Sequence, residues 1–257
     1  MKYIHAYKWC ESVENLPSIV TSHLINAPEI FHKIQEDQIL LTEGADFGLH
    51  YENDHYVIRT SNHIHTTFKE IPKNIRQWYS TNMCVKDDVC NALPFGIIDS
   101  SQELIEDALQ IPKTSNNLLL CNFSVNTAPH KRLVPAKQLI ANGFDYSQPP
   151  AGTSWEVFVE ATRLFHRNIR NSVFVACPEG HGVDSYRIWE TFYLGAIPIV
   201  TKNHMTENLA ARGLPLLLVD SFAEVTQDFL EKQIGKYDNR DHSLLNRDFW
   251  IKEIILR

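Results

Sequence analysis

The segment CPEGHGVDSYRIWETFYLGAIP, residues 177–198, carries side chains whose types and spacing suit phosphate and sugar chemistry. Arg187 and Glu190 are three residues apart, so on a helix they share one face and place a permanent cation beside a carboxylate. A cation of this kind binds phosphate, and a carboxylate accepts hydrogen bonds from ribose hydroxyls. The alternative is an ordinary helix ion pair, since such pairs are common and contribute little energy.

A strand, a loop and a helix must position these two side chains. We predict the strand at residues 173–177, the loop at residues 178–184 and the helix at residues 185–194. Free N–H groups at such a helix start, together with the helix dipole, attract anions and suit a pyrophosphate. Two loop glycines let the backbone approach a ligand closely, and Asp184 or Ser185 caps the helix. The predicted donor-binding residues of this segment are Gly180, His181, Gly182, Asp184, Ser185, Tyr186, Arg187 and Glu190.

A second junction of the same kind lies upstream, in the sequence NFSVNTAPHKR at residues 122–132. It follows a predicted strand and precedes a helix with Pro129 in its first turn, a position that proline favours. We expect a second anion-binding loop there, and the alternative is an exposed loop with ordinary capping residues. The candidate ligands are the hydroxyl and amide groups of Ser124, Asn126 and Thr127, with positive charge from Lys131 or Arg132.

Short apolar runs alternate with longer amphipathic ones along the chain, which is typical of parallel sheets covered by helices and predicts an α/β fold. In the first half we predict strands at residues 3–7, 38–42 and 56–59, a helix near residues 28–35, a helical turn at residues 74–79 and a short strand ending at Pro94. In the second half we predict strands at residues 117–122, 173–177, 197–201 and 216–219, and helices at residues 129–142, 155–168, 185–194, 207–212, 222–235 and 243–256.

Residues 100–116 look like a crossover between two halves, which we place at residues 1–110 and 111–257. Two such halves would enclose a cleft, and the last helix of the second half could pack back on the first. The 257 residues, 44% of them hydrophobic, are enough for one large domain or two small ones.

Composition excludes several classes of protein. A net charge of −7 argues against nonspecific nucleic-acid binding, which needs a clustered excess of Lys and Arg. The five cysteines include no CxxC pair, so neither a disulfide framework nor a zinc site is indicated. No apolar run approaches the roughly 20 residues that span a bilayer, and the N-terminus lacks the apolar core of a signal peptide. We therefore expect a soluble, cytoplasmic protein with no membrane span and no nucleic-acid partner.

The stretch SVFVACPEGHGVDSYRIWETFYLGAIPIV resembles the C-terminal signature of exostosin-like glycosyltransferases, family 47 and its compact microbial and viral relatives. The shared pattern is an apolar strand, P-x-G-x-G-x-D, an aromatic residue, R-x-W-E and a G-x-I-P-I-V strand. Weaker resemblance extends to ILLTEGADFGL, IRQWYSTNM and LPFGI in the first half. Nearly the whole chain is covered, with the specific part at residues 173–200.

The resemblance implies a GT-B architecture, in which two Rossmann-like halves face a central cleft and the C-terminal half holds most of the donor nucleotide. It also implies an inverting glycosyltransferase that requires no metal and no cofactor, and the sequence contains no D-x-D motif. The expected reaction moves a sugar from a UDP-sugar to a hydroxyl of a glycan or glycoprotein acceptor. UDP-xylose, UDP-glucose and UDP-glucuronate remain open as donors, and the resemblance favours a pentose such as xylose.

An inverting transfer needs a general base, which in this architecture projects from the N-terminal half. Asp46 is our candidate, because it follows the strand at residues 38–42 in the glycine-flanked loop EGADFG. The alternative is an aspartate that caps backbone amides in a tight turn. Glu43 is a weaker candidate for the same role.

The acceptor side is indicated only weakly, by Trp78, Asn82 and His63. Trp78 could equally belong to the core. His63 and His65 could be metal ligands or a base, but their alternation with neighbours also fits one face of a strand. The aromatic series Trp155, Phe158 and Phe165 has approximately helical spacing and indicates packing.

Two other functions compete with transfer. A noncatalytic sugar-nucleotide or glycan-binding module would keep the fold without a working base. A nicotinamide-dependent oxidoreductase is disfavoured, because no G-x-G-x-x-G follows any predicted strand.

Overall fold

The computed structural model describes residues 2–13, 15–35, 37–44, 46–150, 154–238 and 242–256. The chain folds as a mixed α/β protein with two parallel sheets, one small antiparallel sheet and helices around them. In the described part of the chain, no helix has the length and apolar character needed to cross a membrane.

A four-stranded parallel sheet and a three-stranded antiparallel sheet form the first part. Its elements, numbered in chain order, are α1 (Trp9–Val13), β1 (Ile19–His23), α2 (Ala27–Ile30), β2 (Gln38–Glu43), β3 (Gly48–Glu52), β4 (His55–Arg59), β5 (Ile64–Phe68), β6 (Ile75–Thr81), β7 (Cys90–Leu93) and α3 (Asp99–Leu109). The parallel sheet has the order β1-β2-β6-β7, and β3-β4-β5 is inserted between β2 and β6. The β3–β4 hairpin turns at Asn53 and Asp54, both with positive φ, as tight two-residue hairpin turns require.

The second part contains a parallel sheet of the order β12-β11-β10-β8-β9. Its elements are β8 (Asn117–Asn122), α4 (Pro129–Ala141), β9 (Tyr146–Ser147), α5 (Trp155–Arg170), β10 (Ser172–Ala176), α6 (Tyr186–Tyr193), β11 (Ile197–Thr201), α7 (His204–Ala211), β12 (Leu217–Val219), α8 (Gln227–Glu231) and α9 (Arg247–Leu256). Gly143 and Gly195 follow α4 and α6 with φ of 86° and 83°, the left-handed conformation in which glycine commonly ends a helix.

The core continues from the first parallel sheet to α6 of the second part. One cluster of buried side chains includes Leu40 and Trp78 of the first sheet together with Ile188 and Trp189 of α6. A second cluster is formed mainly by the remaining buried residues of the second sheet and α4. At the chain end, the amide of Arg247 donates to the carbonyl of Lys2, so α9 begins against the N-terminal residues.

Element prediction succeeded best in the second part. The strands predicted at residues 117–122 and 197–201 match β8 and β11, and the helices over α4, α5 and α6 agree to within two residues. The last two predicted helices are shorter, because the chain makes separate 3-10 turns at Phe222–Glu224 and His242–Leu245 before α8 and α9 begin.

Two predictions in the first part were wrong. The helical turn predicted at residues 74–79 is instead the first part of strand β6, because Trp78 and Tyr79 are buried in a strand paired with β2 on one side and β7 on the other. Residues 3–7 form no strand and make only an isolated bridge between His5 and Ile97. The crossover predicted at residues 100–116 contains most of helix α3, which lies between the last strand of the first parallel sheet and the first strand of the second.

Candidate functional site

A cleft of about 620 Å³ lies where α6, α5 and the loop after β8 meet the start of α3. Its polar wall brings together side chains from both strand–helix junctions identified in the sequence. Arg132 comes from the junction at residues 122–132, and Arg187 and Glu190 come from the segment at residues 177–198. Its apolar wall includes Pro149, Pro150, Phe158, Leu164 and Phe165. The cleft therefore joins a charged end to an apolar end, as a ligand with a phosphate and a ring would require.

Arg187 projects from the first turn of α6 into this cleft. Its guanidinium carbon lies 5.1 Å from the centroid of the Phe165 ring, a distance suited to a cation–π contact. Its Nε is buried and has no hydrogen-bond partner among the described residues. Burial lowers the pKa of Arg187, although Cys177 and Glu190 act in the opposite direction. A buried guanidinium nitrogen without a partner is costly, and an anion in the cleft would satisfy it.

Arg132 supplies a second cation. It is only 5% exposed, and it is fixed by bonds from Nε to the Glu179 carbonyl at 2.9 Å and from Nη1 to the Ser124 carbonyl at 3.1 Å. Burial and then the charge of Arg187 lower the pKa of Arg132 to about 10, so it stays charged at neutral pH. No carboxylate of the described chain forms an ion pair with either arginine. Two neighbouring cations without carboxylate partners create a positive potential that favours an anion.

The start of α6 adds polar groups to the same place. Ser185 is the N-cap residue, yet its side chain makes no capping hydrogen bond. Its hydroxyl is buried and has no partner in the described part of the chain. The first turn of α6 therefore presents an unused hydroxyl and the positive end of the helix dipole beside the arginines.

Glu190 lies one turn further along α6 and is 8% exposed. Its Oε1 accepts a hydrogen bond from Ser101 Oγ at 3.1 Å and lies 3.4 Å from His166 Nε2. The alternative considered for these residues, a helix ion pair with Arg187, is absent among the described contacts, since no Arg187 nitrogen lies within 4.0 Å of this carboxylate. Burial opposes ionisation of Glu190 most strongly, yet His166, Arg187 and Ser101 together leave its pKa below the usual value. The carboxylate is therefore charged and available to ligand hydroxyls.

The glycines of the loop make room for protein side chains. A Cβ on Gly180 would lie 3.0 Å from Arg132 Nη2, and a Cβ on Gly182 would lie 2.8 Å from both amide-head atoms of Asn82. The expected close approach to a ligand is thus replaced by close approach to Arg132 and Asn82. Gly180 acts on the site indirectly, because it lets Arg132 occupy its position. His181, between them, contributes its carbonyl, which accepts from the amide of Ser61.

Asp184 lies outside the cleft and is 3% exposed. Its carboxylate accepts hydrogen bonds from the Phe95 amide at 2.8 Å and from Trp189 Nε1, and its own amide donates to Asn82. These bonds tie the loop before α6 to the ends of the first sheet. Of the two residues predicted as the N-cap, Ser185 and not Asp184 occupies that position, and the Asp184 carboxylate bonds to protein donors outside the cleft lining.

Asp184 should make stability depend on pH. Burial raises its pKa from 3.8 to about 7, so the folded protein holds this proton more tightly than the unfolded chain does. This carboxyl therefore favours folding at low pH, and its contribution falls between about pH 4 and pH 7 by up to roughly 1.4 kcal/mol per pH unit. Asp184→Asn should remove that fall, as measured by urea unfolding at several pH values. The exposed Asp145→Asn variant is the control, and equal pH slopes for wild type and Asp184→Asn would contradict the assignment.

The second junction contributes less to the cleft than expected. Ser124 Oγ accepts from the Asn126 amide at 3.2 Å as a local cap, and Asn126 is exposed outside the cleft lining. Lys131 Nζ is paired with Glu179 at 2.8 Å. Of the candidates from this loop, Arg132 and Thr127 line the cleft.

Asp46 is exposed in the turn between β2 and β3 and is not among the lining residues of the cleft. Asp46 borders a small neighbouring depression together with Lys131, His181 and His50. Burial and the charge of Arg59 lower the pKa of His50 to about 4. Burial, the bond with Tyr7 and the charge of Asp46 together raise the pKa of Tyr186, a cleft residue. Asp46 is therefore close to the start of α6.

Glu43 has a different environment. Its Oε2 accepts a hydrogen bond from the Trp9 amide at 2.9 Å, which anchors the start of α1. This hydrogen bond gives the Glu43 carboxylate a structural role, which argues against Glu43 as the general base.

The residues assigned weakly to the acceptor side are scattered. Trp78 is fully buried in the core, where its Nε1 donates to Thr42 Oγ1 at 2.9 Å. Asn82 is buried with φ of 53° and holds the Asp184 amide. His63 and His65 are exposed at the start of β5, and no group of three metal-ligating side chains occurs among the described residues.

Sequence reasoning missed Ser101 and His166, and it interpreted the α5 aromatics as packing. Phe165 does pack against the core, but it also lines the cleft together with Phe158, and Trp155 is 61% exposed and stacks on Phe158. The helical spacing of these aromatics indicated that they share one face of α5, but it did not indicate what that face contacts.

Comparison of the chain with protein-family models and with curated proteins finds no match in either set.

Proposed function

We propose that this protein is an inverting glycosyltransferase that transfers a sugar from a UDP-sugar to a glycan hydroxyl. One observation carries the proposal: the buried Arg132 and the half-buried Arg187, both without carboxylate partners, lie beside a helix start that has no side-chain cap, with a cleft-lining carboxylate one turn away. A nucleoside diphosphate combines a compact negative charge with a vicinal diol and a ring, the three features that this arrangement would match.

In this proposal the diphosphate lies between Arg132, Arg187 and Ser185. The guanidinium groups match phosphate oxygens geometrically and keep their charge at neutral pH. Glu190 accepts hydrogen bonds from the ribose hydroxyls, and the apolar wall around Phe165 packs against the base or the sugar. The sugar class stays open, with a pentose such as xylose favoured by the sequence resemblance.

The reaction then proceeds by displacement at the anomeric carbon. An acceptor hydroxyl oxygen forms the new bond to that carbon while the bond to the diphosphate oxygen breaks. The diphosphate leaves with the electron pair and is stabilised by the two arginines and the dipole of α6. The acceptor proton passes to a base, for which we propose Asp46.

The fold is compatible with this function. The two parallel sheets would correspond to the two Rossmann-like halves of a GT-B enzyme, with the donor held mainly by the second. Strand ends and helix starts of the second sheet meet at the cleft, where open α/β sheets commonly bind ligands. Membership of the exostosin-like family is part of this proposal and rests on the sequence signature at residues 173–200.

A noncatalytic sugar-nucleotide-binding module is the second candidate. The position of Asp46 outside the cleft lining favours it, because such a module needs the cations and Glu190 but no base. Both candidates predict nucleotide binding, and only the first predicts transfer.

Thermal unfolding in the presence of ligands tests nucleotide binding. UDP, UDP-xylose, UDP-glucose and UDP-glucuronate should raise Tm with the logarithm of concentration, and NADH should not. A rise in Tm with NADH alone, or no change in Tm with any uridine nucleotide at millimolar concentration, would contradict the proposed donor site.

A further inference from the structure

The Glu190 carboxylate is held from two sides. Ser101, at the start of α3, donates to Oε1, and His166 of α5 approaches the same oxygen. Both partners are buried, at 4% and 0% exposure. Oε2 has no hydrogen-bond partner among the described residues, so one oxygen is anchored and the other is left for the cleft.

Arg187 is a competing partner for this carboxylate. Residues three apart on a helix can form an ion pair, and the charge of Glu190 already acts on Arg187. In the structure the two groups stay more than 4.0 Å apart. Among the described residues, Arg187 has no ion-pair partner and Glu190 has only His166. An arginine that closed onto Glu190 would present less charge to a phosphate.

We propose that Ser101 and His166 are positioning residues that hold Glu190 away from Arg187 and thereby keep the guanidinium free for phosphate. The proposal rests on the nucleotide site proposed above. Ser101 comes from the first part of the chain and Glu190 from the second. Phosphate affinity would therefore also depend on how α3 packs against α6.

The Ser101 hydroxyl is the hydrogen-bond donor to Oε1, and it fixes the carboxylate at one end. His166 Nε2 lies 3.4 Å from the same oxygen, at a geometry that does not form a hydrogen bond. Both ring nitrogens of His166 are buried and have no hydrogen-bond partner among the described residues, so His166 acts on Glu190 through close electrostatic contact.

The test is a variant cycle with the full-length protein, in which the Kd of UDP is measured by calorimetry and that of pyrophosphate by competition with UDP. Pyrophosphate has no ribose, so it reports on the phosphate contacts of Arg187, Arg132 and Ser185 without the ribose contact proposed for Glu190. Ser101→Ala should weaken pyrophosphate binding about 2- to 10-fold, while Ser101→Thr, which keeps the hydroxyl, should retain most of the affinity. Glu190→Gln should bind pyrophosphate more tightly than wild type, because a negative charge beside Arg187 is gone.

The decisive variant is Ser101→Ala combined with Glu190→Gln. Once the carboxylate is neutral it cannot close onto Arg187, so the combined variant should bind pyrophosphate as Glu190→Gln does. His166→Phe, alone and with Glu190→Gln, repeats the test at a buried site of similar volume. Melting curves confirm that each variant is folded before binding is measured.

The outcomes separate the positioning role from the nucleotide site itself. If Ser101→Ala and His166→Phe bind pyrophosphate as wild type does, or if their loss persists in the Glu190→Gln background, Ser101 and His166 do not act through Glu190 and the inference fails. If wild type binds neither UDP nor pyrophosphate, the proposed function fails and the inference fails with it.

Discussion

Arg187→Ala is expected to weaken UDP binding about 10- to 100-fold, the range that the loss of a charge-assisted hydrogen bond gives. Arg187 lines the cleft, and its buried Nε has no hydrogen-bond partner in the described chain. Turnover should fall as well, because the charge on the leaving diphosphate grows in the transition state. Calorimetry with UDP and kcat/KM for donor consumption measure the two effects.

Arg167→Ala is the matched control. Arg167 is an exposed arginine of α5 outside the cleft lining, so its loss changes net charge equally without touching the site. UDP affinity should stay at the wild-type value in this variant. Equal affinities for the Arg187 and Arg167 variants would mean that Arg187 does not contact the nucleotide.

Asp46→Asn is expected to lower turnover about 100- to 10,000-fold, the usual contribution of a general base, with little change in UDP affinity. Asn preserves the shape of Asp46 but cannot accept the proton of the acceptor hydroxyl. Because Asp46 is exposed and lies outside the donor cleft, the fold and the nucleotide site should be unaffected. Steady-state transfer rates and UDP calorimetry on the same preparation measure the two quantities.

Asp54→Asn serves as the control for this substitution. Asp54 lies in the exposed β3–β4 turn with φ of 61°, a conformation that asparagine also tolerates. Wild-type turnover is expected there. If Asp46→Asn also retains wild-type turnover, the base must be sought elsewhere, or the chain is the noncatalytic module.

The second sheet could be predicted well because its strands are continuous apolar runs and its helices end at glycines. The runs SVFVA and IPIVT are buried on both faces, and Gly143 and Gly195 end α4 and α6. The first sheet offered weaker local signals. Strand β6, IRQWYST, mixes polar and aromatic residues, and only its pairing between β2 and β7 makes it a strand.

The cleft could be predicted only in part, because local patterns identify a helix face but not its distant partners. The spacing of Arg187 and Glu190 correctly placed both on one face of α6 in the cleft. Ser101 is 89 residues away from Glu190 in sequence, and no periodicity connects them. Likewise, Gly180 and Gly182 signal a crowded backbone, but only the structure identifies Arg132 and Asn82 as the neighbours.

A sugar-transfer assay distinguishes an inverting glycosyltransferase from a module that only binds nucleotides. UDP-xylose, UDP-glucose and UDP-glucuronate would each be incubated with a panel of glycan acceptors, with release of UDP and the anomeric configuration of the product both measured. An inverting transferase should release UDP from at least one donor only when an acceptor is present, and an α-linked donor should give a β-linked product. Tight UDP binding without transfer to any acceptor, or a product of retained configuration, would contradict it.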